Sequence, residues 1–103
     1  MSDIRIEHGL LHKPEVMMMT LQLGVSKNEV IGGLVTLWLW ADECTRRGEC
    51  EHDPKIIDDL TGVTGFSEAL GKVGWIAPRD PEGFILPRIE RYTGDGRTSK
   101  DRK

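Results

Sequence analysis

Apolar residues recur at helical spacing in four stretches of the chain, each bounded by residues that start or stop a helix. A short alternation, Ile4-Arg5-Ile6-Glu7, reads as a strand and is broken by Gly9. Lys13-Pro14-Glu15 opens the first helix, because proline suits a first helical position where its missing N–H would have no partner. Val16, Met19 or Thr20, and Leu23 share one face, and Gly24 supplies the stop. Met17, Met18 and Met19 cannot all face one way, so at least one is expected at a rim or an interface. Ser26-Lys27-Asn28-Glu29 is a capping box, flanked by Val25 and Val30 as a hydrophobic staple. The second helix is predicted to run from there to Arg47, with Gly48 as terminator, a length of roughly 30 Å. Val30, Leu34, Leu37, Trp38, Ala41 and Cys44 form its apolar face, widened by Ile31, Val35 and Leu39. A helix apolar over so much of its girth is expected at the centre of the domain. Arg46 and Arg47 sit in its last turn, where cations suit the helix dipole.

Glu49-Cys50-Glu51 reads as a short strand. Asp53-Pro54 then predicts a third helix, with aspartate as cap and proline at the first position. Its apolar side is Ile56, Ile57 and Leu60, and Gly62 ends it. Val63-Thr64-Gly65 is a tight turn into a fourth helix carrying Phe66, Ala69, Leu70 and Val73 at i, i+3, i+4 and i+7. Gly74 stops that helix, and Trp75-Ile76-Ala77 and Phe84-Ile85-Leu86 bracket a six-residue turn, 78–83, as a hairpin. Two short helices joined by a glycine-containing turn are a helix-turn-helix signature, and a hairpin directly after them makes it winged. The expected fold is mainly α with a small β-hairpin, a winged helix-turn-helix, with residues 66–73 as recognition helix and 78–83 as wing tip.

Length and composition narrow this further. The 103 residues allow one domain. The domain is expected over 1–92, with 93–103 as a basic, flexible tail. With 38% hydrophobic and 30% charged residues, the chain has globular composition. No apolar run approaches the ~18 residues of a membrane span. The first residues carry no signal-peptide pattern, so a cytoplasmic location without membrane partner is expected. The net charge of −3 is unevenly spread. Residues 1–87 hold eight basic and fourteen acidic side chains, whereas residues 88–103 hold six basic and three acidic. A short basic tail is a common device for contacting phosphates.

The pattern resembles a known family. Lys13-Pro14-Glu15-Val16, the long helix with Gly32, Leu34, Val35, Leu37-Trp38 and Trp40-Ala41, and the run Gly65-Phe66…Ala69-Leu70…Val73-Gly74-Trp75-Ile76 look like the N-terminal winged-helix domain of phage and prophage replication-initiation proteins. These are of the replisome-organiser type, akin to DnaD-like primosome proteins. Leu86-Pro87 followed by a basic segment fits the same pattern. The resemblance implies binding of origin DNA and seeding of a primosome.

The candidate DNA contacts are Ser67 and Lys72 on the fourth helix, Arg79 at the wing tip, and Arg88, Arg91, Arg97, Lys100, Arg102 and Lys103 in the tail. The fourth helix turns outward Ser67, Glu68, Gly71 and Lys72, a set poor in the Arg, Lys, Asn or Gln that read base edges. Contact to duplex DNA is therefore expected mainly through phosphates. A rival reading is a protein–protein or self-assembly module of a replication complex, as a homodimer or with a replication-protein partner. It draws on the acidic body and on Met17, Met18 and Trp40 as interface candidates. Trp38 and Trp75 are expected in the core, and Trp40, two residues from Trp38, either packs on another element or marks a dimer patch.

Other chemistry finds little footing. Cys44, Cys50 and His52 have the spacing Cys-x5-Cys-x-His, which matches no common zinc site. His8 and His12 are separated by a helix-breaking glycine and read as surface residues. Asp58 and Asp59 are adjacent and cannot share a helix face as a metal pair would, so they read as a solvated face. No phosphate-binding glycine loop and no paired nucleophile and base are legible, so neither catalysis, a metal nor a cofactor is expected.

Overall fold

The computed structural model describes residues 4, 6, 8–45, 48–80 and 82–87. Leu10 is buried in a short 3₁₀ turn, His8–His12, that leads into α1 (Pro14–Leu23). Val16 and Met19 are the buried pair of α1, which resolves the choice between Met19 and Thr20. The Thr20 hydroxyl instead donates to the Val16 carbonyl. α2 (Lys27–Cys44) starts at the capping box. The Glu29 N–H donates to Ser26 Oγ at 3.1 Å, and the Ser26 N–H donates to Glu29 Oε1 at 3.0 Å. Val30, Gly33, Leu34, Leu37, Trp38 and Ala41 are buried along α2. α1 packs on one flank of this helix and α3 (Ile56–Thr61) on another, which makes α2 the central element.

The sequence places the end of α2 three residues too late. Thr45 adopts an extended conformation at the C-cap; its hydroxyl donates to the Ala41 carbonyl at 2.7 Å and accepts from the Gly48 N–H at 3.1 Å. The Ala41 carbonyl already takes its helical bond from the Thr45 N–H, and the hydroxyl shares it; the Gly48 N–H, which another turn of helix would have turned to the Cys44 carbonyl, is held by Thr45 Oγ1 instead. Cys44, expected on the apolar face, is exposed, and Leu39 is 48% exposed rather than widening the buried stripe. Arg46 and Arg47 lie outside the described residues, as do Arg5 and Glu7 of the predicted first strand.

α3 also begins later than Asp53-Pro54 implies. The Asp53 carboxylate accepts from the Lys55 N–H at 2.9 Å, and the Ile56 N–H donates to the Asp53 carbonyl. Asp53 and Pro54 therefore shape a turn that feeds the helix two residues on. α4 (Phe66–Lys72) follows, and its Phe66, Ala69 and Leu70 are buried. Phe66 sits against Gly33 of α2, a contact that leaves no room for a side chain at that glycine.

The hairpin becomes part of a three-stranded antiparallel sheet of order β1-β3-β2, formed by β1 (Glu49–Cys50), β2 (Ala77–Pro78) and β3 (Phe84–Ile85). Glu49 and Ala77 both pair with Ile85, and Cys50 and Pro78 both pair with Phe84. Pro78 is tolerated because β2 is an edge strand, where a missing N–H costs no ladder bond. Trp75 and Ile76, expected in the first hairpin strand, precede it, and the turn is residues 79–83, closed by the Arg79 N–H on the Gly83 carbonyl. Gly83 has φ 103°, and a Cβ there would collide with the Cys50 carbonyl of β1. The glycine is what lets the wing lie flat against β1. The molecule is mainly helical with a small antiparallel sheet, an arrangement compatible with a winged helix.

Candidate nucleic-acid interface

The geometry of the helix-turn-helix is set by one side chain. The Asp58 carboxylate, on α3, accepts from the Gly65 N–H through Oδ2 and from the Ser67 N–H through Oδ1, each at 2.9 Å. These are unpaired donors at the start of α4, and a carboxylate there is favoured by both hydrogen bonding and the helix dipole. Asp58 is thus half-buried and structural, not the solvated residue its neighbour Asp59 is. It ties α3 to the start of α4, which packs on α1 and α3, while the Phe66 ring reaches across to Gly33 of α2.

Ser67 is half-buried, and its backbone is already committed to Asp58. Glu68, Gly71 and Lys72 are exposed on α4. A mostly apolar groove of about 260 Å³ runs alongside, lined by Ser67, Glu68 and Gly71 and by Ile76, Pro78 and Phe84. The side chains that α4 can offer to a base edge are Ser67, Glu68 and Lys72. Lys72, at the last position of α4, pairs with no carboxylate among the described residues.

Arg79 is positioned differently from Lys72. Its Nε lies 3.7 Å from Glu49 Oε1, its Nη2 lies 3.9 Å from Glu51 Oε2, and its Nη1 donates to the Glu82 carbonyl at 3.1 Å. Its side chain is only 24% exposed. Of the residues the sequence singles out for phosphate, Lys72 is open on the surface and Arg79 is held by its own protein. Arg88, Arg91, Arg97, Lys100, Arg102 and Lys103, and with them the boundary at 92–93, lie outside the described residues.

The described surface is strongly acidic. Lys13, Lys27, Lys55, Lys72 and Arg79 face twelve Asp and Glu residues. Of the interface candidates, Met17 and Met18 are 54% and 55% exposed, and Leu21, one turn further along α1, is 77% exposed. Trp40 is half-buried with its ring stacked on Phe84, centroids 6.4 Å apart. It joins α2 to the sheet. Trp38 is buried, and Trp75 is half-buried against it, ring centroids 6.4 Å apart. Cys50 is buried with its Sγ accepting from the His52 N–H, and Cys44 is exposed on α2. No described helix is long and apolar enough to cross a membrane.

Two groups of functional interest escape a reading of the sequence. Asp58 contacts residues seven and nine positions ahead, which no local rule anticipates. Glu49 and Glu51 could have been suspected, since alternate residues of a strand share a face. Their partner becomes evident only when β3 is seen between β1 and β2. Comparisons with protein-family models, with curated proteins and with solved structures found no match.

Proposed function

We propose that the chain is a DNA-binding module of the phage-type replication-initiation kind, built on a winged-helix frame. In this reading it grips duplex DNA through phosphates. Lys72 and the basic residues of 88–103 supply the positive charge, and α4 contributes position more than base readout. The observation that carries the proposal is the segregation of charge on this frame. The described body holds twelve carboxylates against five cations, whereas the sequence that follows Pro87 reverses the balance to six basic against three acidic. Phosphate contacts orient a protein on DNA without specifying sequence, so modest specificity is expected of one copy. The test is fluorescence anisotropy of labelled duplex and single-stranded DNA at low salt, with the full chain and with a chain ending at Tyr92. Binding by the full chain that the truncation weakens supports the proposal. Absence of binding by both forms overturns it.

A second reading, a protein–protein module of a replication complex, is favoured by the exposed Met17, Met18 and Leu21 on α1. Methionine-rich surfaces adapt to apolar partners. Size measured against concentration by sedimentation, with Met17→Gln/Met18→Gln as comparison, tests its self-association form. A size that does not rise with concentration excludes it.

A further inference from the structure

Arg79 is the one described arginine, and it stands where a wing meets DNA in the reading proposed above, on which this inference rests. Every group its guanidinium touches in the described residues belongs to the protein's own sheet and turn. Nη1 is tied to the Glu82 carbonyl, while Nε and Nη2 face the carboxylates of Glu49 and Glu51. The fold builds this arrangement in three steps. The order β1-β3-β2 brings the Glu49-Cys50-Glu51 run alongside the hairpin. Gly83 lets the turn close onto β1, because any side chain there would meet the Cys50 carbonyl. The Arg79 N–H then fastens the base of the turn to the Gly83 carbonyl. The carboxylates are 56% and 79% exposed, so they stand in solvent beside Arg79 and carry the same sign of charge as a phosphate that would approach it.

We infer that Glu49 and Glu51 are internal competitors for phosphate at the wing, and that they keep Arg79 from contributing to DNA affinity. The contacts are long and partly solvated, so they compete with a phosphate without excluding it. Binding by the native chain then depends on Lys72 and the tail, and the wing is a latent phosphate site.

The test uses the full-length chain and a labelled duplex across a salt series, by fluorescence anisotropy. Glu49→Gln/Glu51→Gln keeps side-chain size and removes both charges. It is expected to tighten binding about three- to tenfold at low salt and to steepen the slope of log K against log salt by about 0.9, the increment for one more phosphate neutralised. Adding Arg79→Gln to that pair should return both quantities to native values. Glu15→Gln/Glu43→Gln changes net charge equally at two other surfaces and serves as the reference. If the native chain binds and the Glu49/Glu51 pair gains no more than this reference, the competition is refuted and the DNA-binding proposal stands. If neither the native chain nor the Glu49/Glu51 variant binds at low salt, both fail. If only the variant binds, the competition is supported and the tail-based part of the proposal is refuted.

Discussion

Gly32 and Gly33 are neighbours on α2, and only the first is expected to gain stability when replaced by alanine. Within a helix, glycine to alanine stabilises by about 0.8–1 kcal/mol through backbone entropy. Gly32 is exposed, and a Cβ added there has no other group within 4 Å, so Gly32→Ala should realise that gain in full. A Cβ at Gly33 would lie 2.7 Å from both Cε1 and Cζ of Phe66 and 3.4 Å from the Thr61 Cβ. Carbon pairs prefer about 3.5–4.0 Å, so the phenyl ring would have to retreat by nearly an ångström. Phe66 is fully buried, and its retreat displaces α4. Overpacking of this kind costs about 1–3 kcal/mol. Offset by the helix term, Gly33→Ala should be between neutral and about 2 kcal/mol destabilising. At about 4–8 °C per kcal/mol for a domain this size, Gly32→Ala should raise Tm by about 4–8 °C. Gly33→Ala should leave it unchanged or lower it. Thermal unfolding followed by far-ultraviolet circular dichroism, with urea midpoints as a second reading, measures both. If Gly33→Ala raises Tm as much as Gly32→Ala does, Phe66 does not rest on α2 at this point, and the docking of α4 described above is wrong.

Three further substitutions probe the frame and its site. Asp58→Ala removes both carboxylate bonds to the start of α4 and should cost about 1–2 kcal/mol, with faster hydrogen exchange at the Gly65 and Ser67 amides. Asp58→Asn keeps one of the two acceptors and sets an NH2 against the other N–H, so it should lose only part of this, and no loss by Asp58→Ala would mean that the carboxylate does not hold the start of α4. Trp40→Ala should cost about 2 kcal/mol, roughly half the figure for a fully buried tryptophan, without altering sedimentation. A change in size with little change in stability would instead return Trp40 to an interface. Ser26→Ala should cost about 1 kcal/mol in urea unfolding, and no loss would mean that the capping box does not hold α2.

The features legible in the sequence are those that depend on neighbours along the chain. The capping box at Ser26 and Glu29, the face formed by Val30, Leu34, Leu37, Trp38 and Ala41, and the spacing of Phe66, Ala69 and Leu70 all appear where they are expected. Helix ends were less legible. Thr45 takes the Gly48 N–H on its side chain where α2 ends, and i to i+3 backbone bonds from Asp53, Pro54 and Lys55 form a tight turn before α3. The strand at Glu49-Cys50-Glu51 is legible in the sequence, but its place beside the hairpin is not. Only tertiary pairing reveals Glu49 and Cys50 as partners of Ile85 and Phe84. The site follows the same division. Lys72 stands exposed on the outer face of α4, as its helical spacing implies, whereas the environment of Arg79 depends on a strand thirty residues earlier in the chain.

The salt dependence of duplex binding by the full chain reports how many phosphates it neutralises. Affinity from three or four neutralised phosphates gives a slope of log K against log salt of about −3. The full chain should show that slope, and a chain ending at Tyr92 a smaller one. A slope near zero, or one that the truncation leaves unchanged, would contradict a phosphate grip supplied by the basic residues that follow the wing.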